Sequence, residues 1–229
     1  MNFFTQHRSI GFWINKNFRL SKKNSKRSTK NTNFTAQTHA PMSQKLLLSE
    51  KEVAIILHRL ACQLIEKHLD FSNTVLVGIQ PRGVFLAERI KQLLEQEYQV
   101  PSIAFGYLDI TFFRDDFRRT ATPIEANSTK IDFLVENKKV IFIDDVLYTG
   151  RSIRSALTAI QSFGRPAEIE LLVLIDRRFS RHLPIQPDYR GRQVDAINQE
   201  KVKVHWKEQD GEDAVYLVPT TTIQTTTTA

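Results

Sequence analysis

In the stretch VIFIDDVLYTGRS (140–152), four apolar residues lead into Asp144 and Asp145, and Thr149, Gly150, Arg151 and Ser152 follow. Adjacent carboxylates repel each other, so a site built this way expects a cation or a hydroxyl-rich ligand. A Thr-Gly-Arg-Ser turn that opens a helix offers unpaired N–H groups, hydroxyls and the positive end of the helix dipole. Together these make a cradle for phosphate. The acids stand a few residues earlier, about a ribose away, where they can accept hydrogen bonds from vicinal hydroxyls. A ribose 5-phosphate satisfies both halves of the stretch. Paired acids at a strand end also serve as magnesium sites or helix caps, and the pair alone leaves those readings open. A Walker A loop is excluded, because no G-x-x-x-x-G-K-[ST] occurs, and no G-x-G-x-x-G follows a strand.

The elements that must position these residues are legible on either side. Ser49 and Glu52 have capping-box spacing. Val53, Ile56, Leu57, Leu60, Ala61, Leu64 and Ile65 then recur at helical intervals to about His68. His58 and His68 read as surface positions on that helix. TVLVGI (74–79) is a continuous apolar run, as a strand covered on both faces is. It runs through QPRG into the helical VFLAERIKQLLEQE. PSIAFGYLDI is strand-like, TFFRDDFRRTATPIEANS is a polar excursion, and KKVIFIDD is a second buried strand. SIRSALTAIQSF is a helix stopped by Gly164 and Pro166, and AEIELLVLID is a third buried strand. This alternation predicts an α/β fold: a parallel sheet flanked by helices. Ligands then lie beyond the carboxyl ends of the strands, where the loops after 79, 108 and 143 converge. RHLPIQPDYRGRQV is turn-rich and VKVHWKEQ alternates, which predicts a small C-terminal flap or hood over the sheet edge.

Composition sets the outer limits. The chain has 229 residues, 41% of them hydrophobic, enough for one substantial core. The net charge of +7 is concentrated in residues 1–41, which carry eight basic residues and no acid, whereas 42–229 carry 24 basic and 25 acidic residues. The body is therefore near neutral, unlike a globally basic nucleic-acid binder. Residues 1–41 are polar and without sustained periodicity, the composition of a disordered extension. Three origins stay open for them: an upstream start ahead of Met42, an organelle-targeting segment, or a basic arm for nucleic acid. Residues 219–229 are a low-complexity tail. Cys62 is the single cysteine, read as a buried structural thiol, so no internal disulfide framework is possible. No apolar run has the length of a membrane span, and the chain reads as soluble and cytoplasmic.

The whole 140–152 string resembles the phosphoribosyl-pyrophosphate (PRPP) motif of the type I phosphoribosyltransferases. GIQPRGVFLAERI (78–90), LDITFFRDDF (108–117), DRRFSRHLPIQPDYRG (176–191) and VKVHW (202–206) are similar to the PyrR branch. Its members regulate pyrimidine operons and act as uracil phosphoribosyltransferases. The resemblance spans 42–218, with 176–208 as the hood region.

The resemblance implies that Asp144 and Asp145 hold the ribose hydroxyls of PRPP. The stretch Val146, Leu147, Tyr148, Thr149, Gly150, Arg151 and Ser152 would wrap the 5-phosphate. Pro81 and Arg82 would form the pyrophosphate loop, where the family commonly has Thr-Arg, and a proline makes a cis bond there easier. Arg114 would belong to a loop that closes over PRPP, and Arg177 and Val194 to the hood that receives the base. Asp109, Asp115 and Asp116 read as loop organisers. With Mg²⁺ as the implied cofactor, Arg114, Asp144 and Asp145 are the residues closest to catalysis, and no metal ligand is assigned.

Three functions follow. The implied reaction is uracil plus PRPP giving UMP and diphosphate, and it needs no dedicated nucleophile. The second reading is an attenuation regulator that binds pyrimidine leader RNA through Arg59, Lys67, Arg165 and Arg181, a sparse basic set. The third is a purine-salvage phosphoribosyltransferase sharing the PRPP motif. Uracil rests on DITFFRDD and LPIQPDY. The segment DRRFSRHLPI departs from the family pattern by one extra residue and a missing Gly-His pair, at the position of Arg177. An exposed apolar face over 53–65 would suit a homo-oligomer.

Overall fold

In the computed structural model, the described residues are 44–115, 127–195 and 200–219. The expectations for 1–41, for the excursion at 116–126 and for the end of the tail lie outside them.

The chain runs β1 (Lys45–Leu48), α1 (Glu50–His68), β2 (Thr74–Ile79), α2 (Gly83–Gln92), β3 (Ala104–Leu108), β4 (Lys139–Leu147), α3 (Arg151–Ile160) and β5 (Glu168–Arg177). It continues through β6 (Tyr189–Val194), β7 (Glu200–His205), α4 (Lys207–Asp210) and β8 (Ala214–Pro219). Five strands form one parallel sheet in the order β3-β2-β4-β5-β6. The α/β fold expected from the alternation of elements is therefore present. Successive residues of the central strands pack against opposite layers, as the period of two requires. Leu76, Ile141, Ile143, Leu172 and Leu174 pack in the layer of α1 and α2. Val75, Val77, Val140, Phe142 and Val173 pack in the layer of α3.

The capping box forms as its spacing predicts. The Ser49 backbone N–H donates to Glu52 Oε2 at 2.8 Å, and the Ser49 side chain meets the same oxygen. The apolar face of α1 differs from its expected role. Val53, Ile56, Leu57, Leu60, Ala61 and Leu64 are buried in the core of this one chain, so that face is not available for a partner copy. His68 is corrected too. It is buried, with Nε2 3.0 Å from both Glu170 Oε2 and the Tyr189 hydroxyl, and Nδ1 3.1 Å from Thr74 Oγ1. Cys62 is half-buried, its Sγ 3.4 Å from the Tyr98 hydroxyl.

The hood also differs from the contiguous stretch expected. β6 belongs to the main sheet, and the small sheet is β1-β8-β7, antiparallel, built from both ends of the described chain. Its Trp206 is fully buried against the α1–α2 layer. Arg89 of α2 fixes it there: the guanidinium donates to Glu208 at 2.8 and 3.0 Å and to Asp213 at 2.8 Å, and lies 4.8 Å from the Trp206 ring. No helix among the described residues is long and apolar enough to cross a membrane.

Candidate active site

The loops after β2, β3 and β4 meet at the carboxyl edge of the parallel sheet. β4 continues through the acids to Leu147, further than the 140–143 strand read from the apolar run. Because neighbours on a strand point to opposite sides, Asp144 and Asp145 serve two different cavities. Asp144 lines a cavity of about 330 Å³ with Arg114 and residues 146–153. Asp145 lines another of about 450 Å³ with Arg82, Val202, Lys203, Val204, His205 and Asp210. Val146 borders both.

In the first cavity, Gly150 caps α3 with φ 89°. Only glycine adopts that conformation freely, and an added Cβ would also come within 3.3 Å of Ile185 Cδ1. The turn thereby presents the first amides of α3, which lack intrahelical acceptors. Asp115 pairs with both Arg151 and Arg154, tying the base of the 109–115 loop to the first turn of α3. Ser155 Oγ reinforces this by donating to the Phe113 carbonyl at 3.1 Å. Asp109 organises its own turn, accepting from the Thr111 N–H at 2.9 Å and hydroxyl at 2.6 Å. Arg114 is exposed at the cavity wall.

In the second cavity, the Gln80–Pro81 peptide is cis. Arg82 follows it and donates to Asp145 Oδ2 at 3.3 Å, Asp210 Oδ2 at 3.0 Å, Gln209 Oε1 at 3.0 Å and the Val204 carbonyl. Pro81 itself is exposed and lines neither cavity.

Burial raises Asp144 well above the usual carboxylate range, and the charge of Asp145 raises it further. Asp145 is raised by burial as well, with Arg82 working in the opposite direction. A pair of carboxylates held at this cost favours a cation or hydroxyl donors between and beside them. Mg²⁺ fits such a donor set: hard oxygen ligands, one or two carboxylates, with the remaining positions left to substrate phosphates and water.

Arg177 and Val194 stand in register at the carboxyl ends of β5 and β6, on the main sheet and not on the hood. Neither lines the two cavities. Arg177 is buried and its guanidinium lies 4.0 Å from the Tyr148 ring, while Nε and Nη2 have no hydrogen-bond partner among the described residues. It does not pair with Asp176, which instead binds Arg181.

Arg181, a candidate for a basic outer face, instead lies behind the turn that leads from β4 into α3. Its guanidinium donates to the Leu147 carbonyl at 3.1 Å and to the Tyr148 carbonyl, and the His182 N–H donates to the Thr149 carbonyl at 3.0 Å. The contact of Arg181 with the 147–148 backbone, the role of Asp210 and the pairing of Asp115 across to α3 escape sequence reasoning, since no local spacing announces a partner this far along the chain.

Residues 43–209 match the phosphoribosyl transferase domain family, and this chain belongs to it. Its curated relatives include the bifunctional protein PyrR of Gloeothece citriformis, 45% identical over 172 residues that cover 75% of this chain and 96% of the relative. The bifunctional protein PyrR of Synechocystis is 44% identical, covering 75% and 95%. Among solved structures, the hypoxanthine phosphoribosyltransferase of Trypanosoma cruzi superposes with a TM-score of 0.58 at 15% identity, covering 79% of this chain and 99% of that one. At that identity the likeness concerns the fold alone.

Proposed function

We propose that this chain is a cytoplasmic uracil phosphoribosyltransferase that converts uracil and PRPP to UMP and diphosphate. The observation that carries the reading is the pair of cavities meeting at Val146, one with a phosphate turn and the other with an arginine and an apolar wall. The 5-phosphate takes the amides and hydroxyls of Thr149–Ser152. Asp144 and Asp145 accept from the ribose hydroxyls where the two cavities meet. The base enters beside Val146, Val202 and Val204, and the pyrophosphate faces Arg82 and Arg114. Mg²⁺, held near the two carboxylates together with substrate phosphates, would supply neutralising charge to the leaving group.

Departure of pyrophosphate from the sugar carbon builds positive charge on the ring. The half-buried carboxylates favour that charge, and the arginines favour the leaving diphosphate. No residue has to form a covalent bond. Water has to be kept out, because it would consume PRPP at the same centre. Arg177 carries two buried nitrogens, Nε and Nη2, without acceptors among the described residues, a donor set that suits the nucleotide or its base.

The test is turnover of labelled PRPP against uracil, orotate, hypoxanthine and guanine in parallel. UMP as the dominant product supports the reading, and a purine nucleotide as the dominant product overturns it in favour of purine salvage.

A second activity, UMP-dependent binding of pyrimidine leader RNA, is supported by the relatives' name, which calls them bifunctional. Three of the four basic candidates argue for a minor role. Lys67 is paired with Glu170 and Arg181 with Asp176, and the Arg59 guanidinium is bonded to the Gly191 carbonyl, so these side chains are engaged within the chain. Filter binding with and without UMP across a salt series decides it: affinity that falls with salt is the signature of phosphate contacts.

A further inference from the structure

Arg82 is shared. Its Nε donates to Asp145 Oδ2 at 3.3 Å, while Nη2 donates to Asp210 Oδ2 at 3.0 Å and Nη1 to Gln209 Oε1 at 3.0 Å. Asp210 is itself held in place, because its Oδ2 accepts the Trp206 backbone N–H at 2.9 Å, and its own N–H donates to the Trp206 carbonyl at 2.7 Å. The turn carrying it is locked to α2 by Arg89, whose guanidinium binds Glu208 and Asp213. One guanidinium therefore spans from a carboxylate on β4 to a carboxylate on a rigid turn of the small sheet, across a cavity that both acids line.

We propose that Asp210 is a positioning residue for PRPP binding, acting through Arg82. The inference rests on the reading of Asp145 and Arg82 as PRPP-binding groups. Two carboxylates competing for one guanidinium each hold it less firmly than either would alone. Asp210 thus keeps Arg82 across the mouth of the cavity, and leaves Asp145 able to exchange the arginine for ribose hydroxyls. Without the charge at 210, Arg82 commits to Asp145. That closes the carboxylate the sugar needs and draws the guanidinium away from the pyrophosphate position. Both effects weaken PRPP binding. Neither alters contacts made after PRPP has bound, so the effect falls on KM and not on kcat.

The test uses Asp210→Asn in the full chain, since asparagine can still accept the Trp206 N–H. PRPP binding is measured by calorimetry beside steady-state kinetics. The PRPP Kd and KM are expected to rise about fivefold, with kcat and the uracil KM within about twofold. Asp210→Glu, which restores the charge, recovers most of the loss. In an Arg82→Ala background, Asp210→Asn is expected to change PRPP affinity by less than about 1.5-fold, because the effect runs through Arg82. Unchanged or tighter PRPP binding by Asp210→Asn overturns the inference. So does an equal loss with and without Arg82, which marks a structural role for the turn. Failure of the parent chain to bind PRPP overturns the assigned function itself, a result distinct from an active parent with an unaffected variant.

Discussion

Gly83, the first residue of α2, lies against the backbone of Asp144: a Cβ at 83 would come within 2.9 Å of Asp144 Cα and 2.4 Å of the Ile143 carbonyl oxygen. The helix that begins just after Arg82 is thus seated directly on the strand that carries both acids. Backbone on each side leaves nothing flexible to give way. Gly83→Ala is expected to destabilise the protein by about 1–3 kcal/mol, as overpacking does. Shifting Arg82 and Asp144 together should also weaken PRPP binding by about tenfold or more. Urea denaturation and PRPP titration measure the two effects. A variant as stable and as tight-binding as the parent would show that α2 can slide.

Asp144 is costly to the ligand-free fold. Burial, and then the charge of Asp145, raise its folded pKa above the ordinary carboxylate value. A group raised in this way contributes its stability below its unfolded pKa and loses it as the pH climbs through the folded one. Asp144→Asn should therefore melt above the parent at pH 7. The gap should narrow toward about pH 4 and vanish below it, while activity falls by about a hundredfold or more. Melting curves across pH check the sign, and a variant that melts below the parent at neutral pH would refute the stated cause.

Arg114 stands at the wall of the cavity lined by residues 146–153, next to Asp115, which is tied to α3. A group that meets the pyrophosphate chiefly as charge develops should matter more to turnover than to binding. Arg114→Ala is expected to lower kcat by about a hundredfold and to change PRPP affinity by about threefold or less. Equal losses in both would make it an ordinary binding residue.

The opposite edge of the sheet carries a separate network. Glu170 on β5 forms an ion pair with Lys67 at 2.8 Å, accepts from the Tyr189 hydroxyl at 2.6 Å, and meets His68 at 3.0 Å. Glu170→Ala leaves these groups facing one another without their anion. A cost of about 3–5 kcal/mol is expected, with KM values of the folded fraction unchanged. Denaturant titration and kinetics at low temperature measure both.

The parallel sheet was readable because each central strand is a short apolar run closed by turn residues, and each helix has its own cap or stop. The phosphate turn was readable because its residues are contiguous. Longer-range features were not. His68 follows Leu64 by four residues, so the periodicity placed it on the buried face, but its side chain suggested a surface position. Its partner Glu170 is 102 residues further on. The resemblance implies a hood position for Arg177 and Val194, and the turn-rich segment between them gives no sign that β6 returns to the main sheet. β1 and β8 are four and six residues long, and β1 gains its identity only by pairing with β8, far along the chain.

That pairing has a consequence for biosynthesis. β8 is the middle member of the small sheet, yet it is translated after both of its neighbours. A ribosome that has delivered every residue lining the two cavities has still made only the two outer strands of the cover, with no rung between them. Nascent chains can fold the parallel sheet early, but the cover is completed only when β8 emerges.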